Sequence, residues 1–320
     1  MPHILVLYFF FSWVVFANDH TSPAGIMQDH IHNKGEFMPM YSIGYLNMKS
    51  NYNSSQNEVL SQYNNSPINM QMYMYMLGGM YGITDNFNIS VMAHYMQMQM
   101  NNITTADNMS HKSYGIGDTK ISGLYKVMEK NSHNIIANFG VSLPTGGIEK
   151  TYQHTMGMMT MTRTAPYSMQ MGTGSYSILS GITYNFLTDT YQFGWQFNGD
   201  VKIGNNKKDY RFGNVYNITL WATRNLFTRF APSIRLNYTD TQNIHGEDSS
   251  LNISSSPAAN NSIQYRKQLD FLIGMNYILP NGMLANGKIL LEIGMPVYQK
   301  TGNGMLKNHY TTMLGLQQAF

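Results

Sequence analysis

From about residue 36 onward, apolar and polar positions alternate with a period of two in segments of 10 to 15 residues, and clusters of turn-forming residues separate the segments. The pattern predicts strands near 36–50, 68–82, 86–100, 113–128, 132–144, 168–186, 190–204, 209–224, 227–241, 263–280, 287–299 and 309–320. Their connections alternate in length. Ile83-Thr84-Asp85, Glu129-Lys130-Asn131, Thr188-Asp189, Arg224-Asn225-Leu226 and Asn281-Gly282 are short, whereas 51–67, 101–112, 145–167 and 242–262 are long and polar. Short turns on one rim and long loops on the other are the habit of a transmembrane antiparallel up-and-down β-barrel. The expected fold is therefore all-β, a barrel of about 12 strands over residues 36–320.

The hairpin 68–100 carries the clearest face assignment. Tyr73, Tyr75, Leu77, Tyr81, Phe87, Ile89, Val91, Ala93 and Tyr95 occupy odd positions, so that face suits lipid between two aromatic girdles. Met70, Met72, Met74, Met76, Met80, Met92, His94, Met96, Met98 and Met100 occupy even positions and are expected in the lumen. Pairing Gly82 with Asn86 would set Met76 opposite Met92, Met74 opposite His94, Met72 opposite Met96 and Met70 opposite Met98. A register shifted by two would keep the same face inward.

Before the first strand, Ile4 to Ala17 forms an apolar run too short to span a bilayer as a helix and ends in a small-residue cleavage pattern. It reads as a signal peptide over 1–17, with a buried N-terminal strand as the other reading because no Lys or Arg precedes it. Residues 18–35 follow as a segment containing Met and His. Export leaves two forms open, a membrane barrel or a soluble β-protein.

Charged residues are 12% of the chain and the formal net charge is +3, too little for a nucleic-acid binder driven by phosphate neutralisation. Cys is absent, which excludes disulfide frameworks, thiolate metal sites and Cys nucleophiles. No GxSxG element occurs, and Ser90 and His94 stand four residues apart on one strand, beyond direct hydrogen bonding, so the expectation is a protein that is not an enzyme.

The 27 methionines cluster at 25–48, 70–100 and 156–171. Thioether sulfur prefers soft ions such as Cu(I), and it is also a flexible gap-filler. Candidate metal-ligating residues are Met27, His30, His32, Met70, Met72, Met74, Met76, Met92, His94, Met96 and Met98, with capture sites at the N-terminal segment and at His154, Met156, Met158, Met159 and Met161. No cofactor is required by this reading, and Cu(I) is the soft ion it admits. Lys202, Lys207, Lys208 and Arg211 form a small basic cluster near the 205–209 loop, a solvated rim that suits lipopolysaccharide.

Several short motifs add a resemblance. His30-Ile31-His32-Asn33-Lys34-Gly35-Glu36-Phe37-Met38, Gly115-Ile116-Gly117-Asp118, Val141-Ser142-Leu143-Pro144-Thr145-Gly146, Met171-Gly172-Thr173-Gly174-Ser175-Tyr176 and the final strand ending at Phe320 resemble the bacterial outer-membrane transporter family grouped with the MetA pathway of phenol degradation. The resemblance implies an outer-membrane barrel and leaves the substrate open. Together these observations predict a barrel that passes or binds a small solute, with a soft metal ion as one candidate. The rival reading is a structural or metal-sequestering plugged barrel that transports nothing.

Overall fold

The computed structural model describes residues 22–50, 62–104, 108–156, 159–226, 229–280 and 287–320. Residues 1–17, read above as a signal peptide, the turn expected at Asn281-Gly282, and Met158 of the expected loop capture site lie outside the described residues. The strands are β1 (Phe37–Lys49), β2 (Asn65–Thr84), β3 (Phe87–Thr104), β4 (Asn108–Ile116), β5 (Thr119–Lys130), β6 (His133–Leu143), β7 (Thr151–Met156), β8 (Met159–Thr164), β9 (Tyr176–Leu187), β10 (Tyr191–Ile203), β11 (Tyr210–Arg211), β12 (Val215–Arg224), β13 (Phe230–Thr241), β14 (His245–Gly246), β15 (Arg266–Ile278), β16 (Lys288–Thr301) and β17 (Lys307–Gln317).

Every neighbouring pair in the wall is antiparallel. The order runs β1, β2, β3, β4 with β5, β6, β9, β10, β12, β13, β15, β16, β17 and returns to β1. Because β4 and β5 both pair with β3 and follow one another along it, they form one interrupted wall strand, and the barrel has twelve. Closure abolishes sheet edges, which a bilayer requires of any sheet. At the seam Phe37 and Phe320 exchange backbone hydrogen bonds of 3.0 and 2.9 Å, so the last aromatic residue completes the wall.

The outer surface follows the predicted faces. Leu77, Val91, Leu220, Ile234, Ile273, Leu291, Ile293 and Leu314 are exposed along the middle, while Tyr81, Tyr125, Tyr191 and Phe230 ring one end and Tyr73, Tyr114, Tyr176 and Tyr310 the other. Eight residues separate Tyr73 from Tyr81, which at ~3.4 Å per residue and a tilt of ~40° gives a band roughly 20 Å tall. Such an exterior is stable only against hydrocarbon.

Short turns lie on one rim. The β5–β6 turn uses Asn131 at φ 53°, a conformation Asn tolerates better than most residues. Pro67 and Pro296 fall at register irregularities, where a missing N–H disturbs no regular ladder.

Four boundaries differ from expectation. The β2–β3 register is shifted by two, so that Met76 faces His94, Met74 faces Met96, Met72 faces Met98 and Met70 faces Met100. Face alternation does not distinguish the two registers. The polar stretch 101–112 is largely strand, because the β3–β4 ladder satisfies its backbone hydrogen bonds without an apolar face, Asn102 and His111 being buried within it. The loop expected at 145–167 contains the β7–β8 hairpin, and the wall strand expected from 168 begins only at Tyr176. Gly172 passes so close to Gly146 that a Cβ there would lie 2.5 Å from the Gly146 Cα, and Gly174 has φ +68°, so the chain turns instead of extending. Finally, Tyr210-Arg211 pairs with His245-Gly246 outside the wall, and β12 starts at Val215.

Candidate functional site: the lumen

The register stacks the inward residues of β1, β2 and β3 into rows that climb the wall. From the short-turn rim upward they are Met38–Met80–Ser90, Met40–Gly78–Met92, Ser42–Met76–His94, Gly44–Met74–Met96, Leu46–Met72–Met98 and Met48–Met70–Met100. In the β4 part of the next strand, Gly115, Ser113 and His111 extend the upper three rows. In the β5 part, Lys120 lies opposite Met92 and Ser122 opposite Ser90. The break at Gly117-Asp118 moves the inward face from odd to even positions. Gly117 lies against the His94 imidazole, where a Cβ would strike the ring.

These methionines form two packed clusters. Met38, Met40 and Met80 pack with Leu124 and Ile136 near the short-turn rim, and Met27 of the N-terminal segment joins them. Met70, Met96, Met98 and Met100 form the other with Ala165, Met169, Met171 and Leu306, and Met48, Met72, Met74 and Tyr152 pack against it. Of the residues singled out in the sequence, Met70, Met72, Met74, Met96 and Met98 are thus brought together. Met27 is in the lower cluster, and Met76, Met92 and His94 lie on the wall between the two.

Sequence reasoning missed His111, Met169 and Met171. His111 is inward and 3% exposed, with its ring centroid 3.9 Å from that of Tyr152. Met169 and Met171 come from the loop before β9, which Asp118 pins. The Asp118 carboxylate accepts from Gly146 N–H at 3.0 Å, from Thr173 N–H at 2.9 Å and from the Thr173 hydroxyl at 2.6 Å. Three of the motifs that carry the family resemblance therefore meet at this one acid.

The opposite wall is built from amides. Asn138 donates to Asn198 (3.3 Å), Asn198 to Gln196 (2.8 Å), Gln196 to Thr183 (2.8 Å) and Asn217 to Asn237 (2.8 Å). Between the two walls lies a cavity of about 500 Å³, lined by Met27, Met92, Lys120, Asn138, Asn198, Asn217 and Arg235 among others. Its charges are paired. Asp200 receives both Lys120 (3.3 Å) and Lys202 (2.5 Å), and Arg235 holds Glu292 through two bonds. Lys202 is accordingly a lumen residue and does not belong to the rim cluster, since its period-two position on β10 turns it inward. Lys207 and Lys208 are on the rim, within 2.5 and 3.9 Å of Glu149. The Lys207 hydrogen bond holds the Glu149 carboxyl below its ordinary pKa.

Residues 22–35 enter this lumen from the short-turn rim and cross it. Gln192 and Asn276 donate to the hydroxyl and carbonyl of Ser22 (2.7 and 2.8 Å), Gly25 N–H donates to Glu292 (3.0 Å), Gln196 donates to the Met27 carbonyl (2.9 Å) and Asn185 to the Asp29 carbonyl (2.7 Å). At the rim, Lys34 N–H donates to Asp85 (2.9 Å) and Gly35 N–H to the Gly82 carbonyl (2.8 Å). Inside, His30 bonds Asp29 (2.8 Å), His32 lies 3.6 Å from Glu36, and the two imidazole centroids are 4.8 Å apart. Polar wall residues that a period-two pattern marks only as "inward" are the ones that grip the segment.

No protein-family model matches the chain, and no curated protein matches it. Among solved structures, the chain is similar to the COG4313 outer membrane channel from Pseudomonas putida F1 at 13% identity and a TM-score of 0.62, over 94% of this chain and 100% of that one. It is also similar to the transport unit of the autotransporter AIDA-I from Escherichia coli at 12% identity and a TM-score of 0.55, over 92% and 94%. The fold is that of an outer-membrane β-barrel, as the family resemblance implies. With its apolar outer band, the protein resides in the bacterial outer membrane.

Proposed function

We propose that the protein is an outer-membrane channel for a small solute, closed from the short-turn side by its own N-terminal segment and opened when that segment leaves. The observation that supports this reading is how residues 22–35 are held. Single hydrogen bonds from Gln192, Gln196, Asn185 and Asn276 grip its backbone and one hydroxyl, each worth roughly 0.5–1.5 kcal/mol net. Water replaces such partners readily, so departure is affordable. The cavity above the segment, about 500 Å³, is of a size that suits a small molecule.

The test is planar-bilayer conductance of the refolded chain and of one shortened to begin at Gly35. Higher conductance after shortening supports the channel; silence in both favours the plugged barrel that transports nothing.

A soft metal ion such as Cu(I) is the second reading of the solute, favoured by the thioether rows on β1, β2 and β3. In it Met70, Met72, Met74, Met96 and Met98 serve as ligands, while Met27, His30 and His32 serve the plug. Competition with a Cu(I) chelator tests it, with Met72, Met74 and Met96 changed together to Leu as the comparison. The pair Lys207 and Lys208, sharing one carboxylate on the rim, suits the phosphates of lipopolysaccharide.

A further inference from the structure

The uppermost row of the Met wall differs from the others in its chemistry. Met48 lies opposite Met70, Met70 opposite Met100 and Met100 opposite His111, on four consecutive strands and all inward. Directly opposed residues of antiparallel strands hold their Cβ atoms about 4.5–5.5 Å apart. Met70, Met100 and His111 therefore start from adjacent positions and can converge on one point, with Met48 one strand further along the row. Met169, fully buried, packs on this cluster from the loop above.

The donors are neutral. Sulfur is soft and imidazole is borderline, so the set suits a monovalent soft cation and offers nothing to Mg²⁺ or Ca²⁺. The row Ser42–Met76–His94 has one thioether beside its imidazole, and the lower cluster packs its methionines against Leu124 and Ile136. Only the top row of this wall places two sulfurs and a nitrogen at adjacent positions.

We infer that Met70, Met100 and His111, roofed by Met169, form a binding site for one soft monovalent cation, Cu(I) or Ag(I). The inference rests on the soft-metal reading of the lumen and gives it a place and a donor set.

The experiment uses the full chain folded in detergent, labelled at the Met methyl carbons, with Ag(I) as a probe that stays in one oxidation state. Equimolar Ag(I) is expected to shift the methyl signals of Met70, Met100 and Met169 and to leave those of Met38, Met40 and Met80 in place. Met70→Leu with Met100→Leu preserves volume and folding, and should weaken Ag(I) binding by about tenfold or more. Met38→Leu with Met80→Leu should not change it. No shift at equimolar Ag(I), equal shifts in both clusters, or unchanged affinity in the Met70/Met100 variant would each overturn the site. Conductance of the parent chain measured without metal tests the channel reading by itself, so a failure of that reading registers separately.

Discussion

Arg235 and Glu292 face each other across the lumen wall in a two-pronged ion pair, Nε to Oε1 at 2.7 Å and Nη2 to Oε2 at 2.8 Å, and the same carboxylate accepts from Gly25 N–H at 3.0 Å. The pair is buried, so wall and plug meet at one charge-assisted junction.

A side chain at position 25 should disturb that junction. A Cβ on Gly25 would lie 2.2 Å from Arg235 Nη2 and 2.8 Å from Glu292 Oε2, and the bidentate bond keeps the guanidinium from stepping aside. Gly25→Val is therefore expected to unseat the segment while the barrel folds. Single-channel recording should show a larger conductance than the parent, with heat-modifiable gel mobility retained; parental conductance would contradict the seating described above.

Removing one partner of the pair should cost more than removing both. Glu292→Gln leaves the buried guanidinium uncompensated, a loss of roughly 3–5 kcal/mol, whereas replacing both residues by apolar ones of similar volume is often close to neutral. The melting temperature of Glu292→Gln should therefore fall below that of the Arg235→Leu, Glu292→Leu double variant. The reverse order would show that the pair is not desolvated.

Acid should loosen the plug. Burial, and then the neighbouring His30, push the His32 imidazole from its ordinary 6.5 down to about 4, against the opposing pull of Glu36, while Lys288 adds a smaller push in the same direction. A released segment regains the ordinary value and so binds more protons than the seated one. Seating is at full strength above about 6.5 and weakens as pH falls toward 4. Open probability at pH 5 should exceed that at pH 7.5, and His32→Gln should flatten the dependence; a flat profile in the parent would refute it.

Asp118 should control the loops and leave the barrel alone. Its three bonds to Gly146 and Thr173 are charge-assisted, each worth roughly 1.5–3 kcal/mol. Asp118→Ala is expected to speed proteolysis within 145–175 at unchanged heat-modifiability. Cleavage at the parental rate would mean that the loops are held by something else.

Alternation along the chain decides which residues face lipid and which face the lumen, because the strand period is two and an apolar exterior tolerates one phase only. Tyr73, Leu77 and Val91 stand outside, and Met70, Met80 and Met98 inside, as alternation requires. The spacing of strands and turns also gives about twelve wall strands. Register was beyond the sequence by itself, since a slip of two residues preserves every face, and hydrogen bonding across the whole closed ladder is what sets Met100 between Met70 and His111. The plug was beyond it as well. Residues 22–35 have no periodicity, and their place in the lumen comes from scattered partners, Glu292 lying 267 positions from Gly25 and Asn276 lying 254 from Ser22. Contacts that distant belong to closure of the barrel, which no local pattern encodes.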